Sequence, residues 1–482
     1  MPAYRWLYES LRKEILAGRI RPGTRLPATR DLAWQYRLSR GTIINAFEQL
    51  KAEGYVQATI GSGTYVNSVL PDELLQVRRD LDGTQAARIS PRRQLSEFAR
   101  RVRLFPGFQI RPARAFRANH PALDLFPMTL WAHLTARRLR RVSTAQLLGC
   151  SPMGYQPLRE AVADYANLSR GVKCRPGQVA IVSGVQEALD LVARLLLDPG
   201  DRVGMENPGY VGAAIAFQAA GAHVCPLPLD KEGVKVRGRN LRNMKLLYVT
   251  PGHQFPLGIT MSLSRRLELL SETKRAGAMI FEDDYDSEYR YGGRPVPALQ
   301  GLDGHGLVLY AGSFSKVMFP SLRLGYLIVP PDLTDDFAAI ISVTTRHAPL
   351  LDQAVLCDFI TEGHFGRHIR RMREVYSERL SVLLESAREH LGDLMEISKI
   401  EAGLQTVGWL PRGVSARKVA VAAAEHDVEV IPLSHYTLGP THAEGLQVGF
   451  AAVEPREIRR GVKELEKVLA RAVRWMRPSG KL

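Results

Sequence analysis

The stretch SFSKVMFPSLRLGY, residues 313–326, sets Lys316 between small hydroxyl residues, with Arg323 seven positions further on. It follows LVLYAG, which has the β-branched and aromatic content of a strand. Lys316 therefore falls at the carboxyl end of a sheet strand, where open α/β sheets hold ligands. Around it, strand-like runs alternate with helix-like ones. QVAIVSG precedes VQEALDLVARLLL, DRVGMENPG precedes YVGAAIAFQAAG, KLLYVTPG precedes SRRLELLSETKRAG, and AMIFEDDYD follows. That rhythm predicts a large α/β domain with a mainly parallel sheet over residues 119–482.

A lone lysine in a loop is usually a surface residue, so its meaning depends on its company. In FEDDYDSEY, which ends a strand, Asp283 and Tyr285 are two apart and share a face. Ser313, Ser315 and Arg323 flank the lysine, and SGVQEAL sets Gly184, Val185 and Gln186 at a helix start, a ready anion site. Tyr210, in ENPGY, is placed to stack on a flat ring. A lysine forms a Schiff base with an aldehyde, and pyridoxal 5′-phosphate (PLP) is the aldehyde whose other needs this set meets. Of Asp283 and Tyr285, one pairs with the ring nitrogen and the other donates to the ring oxygen; the remaining groups take the phosphate. No single piece is specific, since an Asp-Asp pair is usually solvated, but five segments converge.

Residues 1–70 form a separate unit. Helical periodicity runs from about Tyr4 to Ala17, a second helix is predicted over TRDLAWQY, and a third over SRGTIINAFEQLKAEG. In the third, Ser39 is a good N-cap, and Ile43, Ala46, Phe47 and Leu50 make one apolar face. YVQATIGSGTYV then reads as a β-hairpin. Three helices and a hairpin give a winged helix-turn-helix, an α+β fold. Arg40, Gly41 and Thr42 stand at the helix end that enters a major groove, where Arg takes a guanine edge and Thr a base or phosphate. A small helical bundle that binds protein is the plainer alternative.

The formal net charge of +16 supports the DNA reading once it is located. Residues 1–70 carry ten Lys/Arg against five Asp/Glu, and residues 71–118 carry eleven Arg against five acids. The second stretch, poor in periodic apolar residues, reads as a basic linker. A basic quarter on a nearly balanced body suits a polyanion partner, although charge alone also fits a solvated surface. The four cysteines are far apart without CxxC spacing, which argues against a disulfide framework or zinc site and for buried packing residues. No apolar run is long enough for a membrane span, and the amphipathic N-terminus lacks a signal peptide's core, so the expected location is the cytoplasm, at the nucleoid.

The segment LPATRDLAWQYRLSRGTIINAFEQLKAEGYVQATIGSGTYV resembles the GntR-type winged helix, which implies DNA contacts at Arg30, Arg40, Thr42 and around Gly61 in the wing. One departure is Ala28, where many relatives have a serine cap. The remainder is similar to fold-type I PLP enzymes of the aminotransferase class, through MGYQPLREAVADYANLSRGVKC, ENPGYVGAAIAFQAAGA, TPGHQFPLG and GSFSKVMFPSLRLGYL. The whole chain resembles the MocR-type regulators. That resemblance implies a head-to-tail homodimer, cofactor sites at the subunit interface, operator DNA as partner, and a small-molecule effector, PLP or an amine.

Three departures from the aminotransferase pattern stand out. Gln447, in LQVGF, occupies the place of the arginine that holds a substrate α-carboxylate. Phe255 replaces an asparagine that supports the ring oxygen, and Gly149 a tyrosine that reaches the partner's phosphate. A neutral glutamine cannot replace a bidentate charged clamp. A PLP-dependent regulator is therefore favoured over its alternative, an active aminotransferase with an appended DNA-binding module.

Overall fold

The computed structural model describes residues 2–59, 62–70, 94–102, 112–236, 241–292, 296–439 and 444–474. The chain divides into two compact units, Met1–Gln94 and Leu95–Leu482. In the first, helices α1 (Ala3–Leu16), α2 (Thr29–Tyr36) and α3 (Arg40–Ala52) precede strands β1 (Val56–Thr59) and β2 (Gly63–Val66). The stripe predicted on α3 is the buried one: Ile43, Ala46, Phe47 and Leu50 share a core with Leu7, Leu11 and Ile15 of α1. Ser39 caps α3, its hydroxyl accepting from the Thr42 amide at 3.1 Å. Ala28 holds the same position before α2 and makes no side-chain cap. Strands β1 and β2 pair antiparallel from Val56 with Val66 to Thr59 with Gly63, closing the hairpin. Gly61, assigned to DNA contact, lies outside the described residues.

In the second unit, β3 (Val179–Val182), β4 (Arg202–Asn207), β5 (His223–Asp230), β6 (Gly233–Val234), β7 (Met244–Val249), β8 (Met279–Asp284), β9 (Val308–Ser313) and β10 (Gly325–Ile328) form one sheet. Their spatial order is β3-β10-β9-β8-β7-β4-β5-β6. The sheet is mixed. β10 runs antiparallel to both neighbours and β6 antiparallel to β5, while β4, β5, β7, β8 and β9 pair in parallel. The reversal at β10 has a plain cause: only residues 314–324 separate it from β9, too few for a helical crossover to a parallel neighbour. Gly325 lies opposite both Val182 and Ser313. Arg323, two residues earlier, is thereby returned to the edge that carries Lys316.

A second sheet, antiparallel in the order β11-β12-β14-β13, is made by β11 (Glu396–Ile397), β12 (Gln405–Trp409), β13 (Ile431–Pro432) and β14 (Gly445–Gly449). It packs into one apolar core with the long helix His364–His390 and with Pro455–Arg474. Ala115, Phe116 and Ala118, which the sequence pattern assigns to the linker over 71–118, are buried in the large unit, and Ala115 bridges to Val428. Upstream, the helix Glu97–Arg101 is seated on the same unit: Arg101 Nε donates to the Ala219 carbonyl at 3.2 Å, and Arg194 lies over the Phe98 ring. Isolated apolar anchors in an arginine-rich stretch carry no periodicity, so pattern alone sets that boundary too far along the chain. Of the cysteines expected in the core, Cys357 is buried, whereas Cys150, Cys174 and Cys225 are half-buried; all four are free. Among the described residues no cluster of acids, His and Cys could hold a metal, and no helix is long and apolar enough to cross a membrane.

Candidate cofactor site and nucleic-acid interface

The loops after β3, β4, β7, β8 and β9 open at the carboxyl edge of the parallel strands, the site predicted for a ligand. Lys316, three residues beyond β9, is half-buried, and its Nζ donates to the Asn119 carbonyl at 2.7 Å. Burial depresses the amine to about 8, with Asp286 and Asp283 pulling the other way. A lysine tuned in this way has a substantial neutral fraction near pH 8, which is the form that attacks an aldehyde.

Asp283, near the end of β8, is 5% exposed. The Tyr248 hydroxyl donates to its Oδ2 at 2.7 Å, while Oδ1 is buried with no partner among the described residues. Burial lifts the carboxyl to about 7, and the Tyr248 bond opposes that rise. A buried acceptor without a donor is costly, and a protonated ring nitrogen is a donor of the right kind. Tyr285 follows β8 on the same side. Its oxygen lies 3.0 Å from His253 Nδ1, which is itself 3.0 Å from Asp286 Oδ1.

The anion cradle is built by Gly184 and Arg323. Gly184, at φ 99°, is the N-cap of the helix Val185–Leu196, whose first amides have no intrahelical acceptor. The Arg323 guanidinium lies 3.6 Å from where a Cβ on Gly184 would stand. Glycine thus leaves the helix start open beside a cation. Ser315 donates its amide to the Ser313 hydroxyl at 3.2 Å on the same edge. The Gln186 side chain is engaged elsewhere, donating to the Gly212 carbonyl at 3.0 Å and accepting from the Tyr210 hydroxyl at 3.3 Å. Its backbone amide is what remains for an anion. The structure therefore brings Lys316, Asp283, Tyr285, Tyr210, Val185, Gln186, Ser313, Ser315 and Arg323 to one edge of the sheet.

Beyond Tyr285 lies an aromatic wall. Phe255 meets Tyr436 edge-on at 5.0 Å, Tyr285 at 5.8 Å and Tyr210 at 5.9 Å. Behind Tyr436, Gln447 is fully buried; its Oε1 accepts from the Tyr436 hydroxyl at 2.7 Å and its Nε2 is unpartnered among the described residues. Gly149, at φ 120°, has His347 Nε2 only 2.8 Å from its absent Cβ, so the imidazole occupies the space a tyrosine there would need. Asn119 and Gln405 fall in no motif, and His253 and Asp286 lie inside TPGHQFPLG and FEDDYDSEY without a role assigned from sequence.

In the first unit, Arg40 and Gly41 open α3 and are exposed, as is Arg30 on α2. The Thr42 hydroxyl lies 2.8 Å from that of Ser39, so it is shared with the cap. The positively charged N-terminus of α3 is thus presented outward, as a groove-reading helix requires.

A winged helix with an open recognition-helix end, followed by an α/β domain with a tuned lysine, an acid and an anion cradle, defines a DNA-binding protein carrying a PLP domain of the aminotransferase type. Residues 118–465 match the family "Aminotransferase class I and II", and residues 3–66 match "Bacterial regulatory proteins, gntR family". The chain is 41% identical to the probable rhizopine catabolism regulatory protein MocR of Rhizobium meliloti, over 96% of this chain and 93% of that protein. It is 36% identical to the HTH-type transcriptional regulator YhdI of Bacillus subtilis, over 97% of this chain and 96% of the relative. The crystal structure of the α-aminoadipate aminotransferase LysN of Thermus thermophilus, complexed with N-(5′-phosphopyridoxyl)-L-leucine, superposes with a TM-score of 0.69 at 29% identity, covering 75% of this chain and 93% of that one. The chain belongs to the MocR-type transcriptional regulators, with a GntR-type winged helix joined to a fold-type I aminotransferase domain, and its cofactor is pyridoxal 5′-phosphate.

Proposed function

We propose that this regulator senses PLP itself, or an amine without an α-carboxylate, and answers by changing its hold on operator DNA. PLP supplies a reactive aldehyde and a protonatable ring. Lys316 would supply the amine for the aldehyde, with loss of water, Asp283 Oδ1 would accept from the ring nitrogen, and Tyr285 would donate to the ring oxygen. The amides of Val185 and Gln186, with Ser313, Ser315 and Arg323, would hold the phosphate, and Tyr210 would flank the ring. Arg30, Arg40, Gly41, Thr42 and Gly61 form the DNA face. A head-to-tail homodimer presents two such faces, and ligand binding changes how they are held only to the extent that it favours one arrangement over the other. Such a protein works in the cytoplasm, at the nucleoid.

The observation that carries the effector assignment is the state of Gln447. Its oxygen is occupied by Tyr436, and what it has left to offer is an uncharged NH2 without a partner among the described residues. A carboxylate needs the charged fork of an arginine to repay its desolvation, whereas a neutral oxygen is satisfied by one N–H. The relative in Rhizobium meliloti is named for rhizopine catabolism rather than for an amino acid.

The test is a visible absorption spectrum of the purified protein with PLP, beside Lys316→Ala, followed by titration with amines while operator binding is recorded. A band confined to the wild type, with amines that alter both band and DNA binding, is the expected result. No band in the wild type would remove the lysine from its role. Multiple turnovers with amino donors and 2-oxo acids would replace sensing with catalysis.

A further inference from the structure

We propose that His253, anchored by Asp286, is a positioning residue that together with Gln405 aims the Tyr285 hydroxyl at the ring oxygen of PLP. The proposal rests on the role given to Tyr285 above. Both groups of the dyad are deeply buried, at 2% exposure for His253 and 1% for Asp286. His253 Nδ1 lies 3.0 and 3.1 Å from the two Asp286 oxygens. A carboxylate only accepts, so Nδ1 carries the hydrogen. The same nitrogen is 3.0 Å from the Tyr285 oxygen, which therefore sits on that N–H as a second acceptor.

Gln405 closes the arrangement from the other side. Its carbonyl oxygen accepts from the Asn119 amide at 2.8 Å, which leaves its NH2 as the end able to donate to Tyr285. With the His253 N–H as donor on one side and the Gln405 NH2 on the other, the phenol's own hydrogen is left for a third group. The acids whose charge Tyr285 feels are Asp286, Asp283 and Glu206. His253 engages Asp286, and Tyr248 and Thr250 engage one oxygen each of Asp283 and Glu206, whose other oxygens take no bond from Tyr285. Phe255, edge-on to Tyr285, has no donor to offer. The hydroxyl is thus the polar group this side presents to the ring.

Two glycines make room for the imidazole. A Cβ on Gly403, at φ 92°, would stand 2.1 Å from His253 Cε1 and 2.8 Å from Asp286 Oδ2. One on Gly258, at φ 77°, would stand 3.1 Å from Nε2. The backbone is therefore shaped in two places around this one side chain. A histidine kept merely as apolar filling would not require its Nδ1 to face a carboxylate and a phenol together.

The experiment is a pH titration of the visible band of the full-length PLP-loaded protein in wild type, Tyr285→Phe, His253→Phe and the double variant. Negative charge on the ring oxygen favours a proton on the neighbouring lysine–PLP nitrogen, and a donor to that oxygen disperses the charge. Losing the donor raises the midpoint. Tyr285→Phe is expected to raise it by about one pH unit, and His253→Phe to move it in the same direction by a smaller amount. The double variant should go no further than Tyr285→Phe alone. His253→Asn, whose amide N–H stands near the place of Nδ1, should lie closer to wild type.

A His253→Phe midpoint equal to wild type, with Tyr285→Phe shifted, would overturn the proposal and leave the role of Tyr285 standing. Additive shifts would also overturn it, since His253 would then act on something other than the tyrosine. An unmoved midpoint in Tyr285→Phe would remove both. Where the phenylalanine variant does not fold, His253→Leu, which also lacks an N–H, gives the same comparison.

Discussion

The Tyr248 hydroxyl donates to Asp283 Oδ2 at 2.7 Å and leaves Oδ1 of the same carboxylate buried without a partner among the described residues. One oxygen is thereby fixed by the protein, and the other is left able to accept from a ring nitrogen. Asp283→Asn puts a carboxamide in place of the carboxylate and removes the charge that holds a protonated nitrogen. A hydrogen bond to a charged group contributes about 1.5–3 kcal/mol, so PLP affinity should fall about 10- to 100-fold. Fluorescence titration of PLP reads this directly. Unchanged affinity would mean that the ring nitrogen is held elsewhere.

Lys316 gives the sharpest pH dependence. Its amine is depressed to about 8 by burial, and only the neutral form attacks PLP. The rate of PLP capture should rise about tenfold per pH unit below 8 and level off above it, whereas an ordinary lysine would keep climbing to about pH 10. Asp286 opposes the depression, so Asp286→Asn should move the midpoint below 8. Stopped-flow absorbance across pH 6–10 checks both. A midpoint near 10 would show that the lysine is not desolvated.

How much of this was legible in the sequence depended on where each residue sits. Lys316, Asp283 and Arg323 stand at strand ends, and strands announce themselves by alternation and by the turns that bound them. The start and the buried stripe of α3 were readable because the stripe and the Ser39 cap are local features. Asn119, His253, Asp286 and Gln405 meet only through tertiary folding, from four separate segments, and although His253 and Asp286 lie in marked stretches, nothing local pairs them. The antiparallel course of β10 was implicit in the length of its connection to β9, not in the composition of LGYLI. Ala115 and Phe116 were hidden by the arginines around them. Gln447 drew notice only as a departure from a resembling pattern, and the orphaned Nε2 that gives it meaning is a property of the fold.

Gln447→Arg tests the effector assignment from the opposite direction. The substitution offers a charged fork behind Tyr436, where the wild type has an uncharged NH2. Binding of α-amino acids, seen as a change in the PLP band, should tighten about 10- to 100-fold. Amines without a carboxylate should bind no better. If amino acids already perturb the wild-type band at low concentration and the variant adds nothing, the carboxylate is held by another residue.

The winged helix separates recognition from stability, and two substitutions in it should act on one each. Arg40 stands exposed at the first position of α3, where truncation disturbs little of the packing. Arg40→Ala should cost about 1–3 kcal/mol of operator affinity and flatten the difference between operator and random DNA. Thermal unfolding should be unchanged. Ala28 begins α2 without a side-chain cap. Ala28→Ser gives the first turn an acceptor and should stabilise the unit by about 0.5–2 kcal/mol, with operator discrimination unaltered. Mobility shifts and thermal melts on the same three proteins decide the matter. Loss of discrimination in the serine variant would mean that the start of α2, and not only the start of α3, lies against the bases.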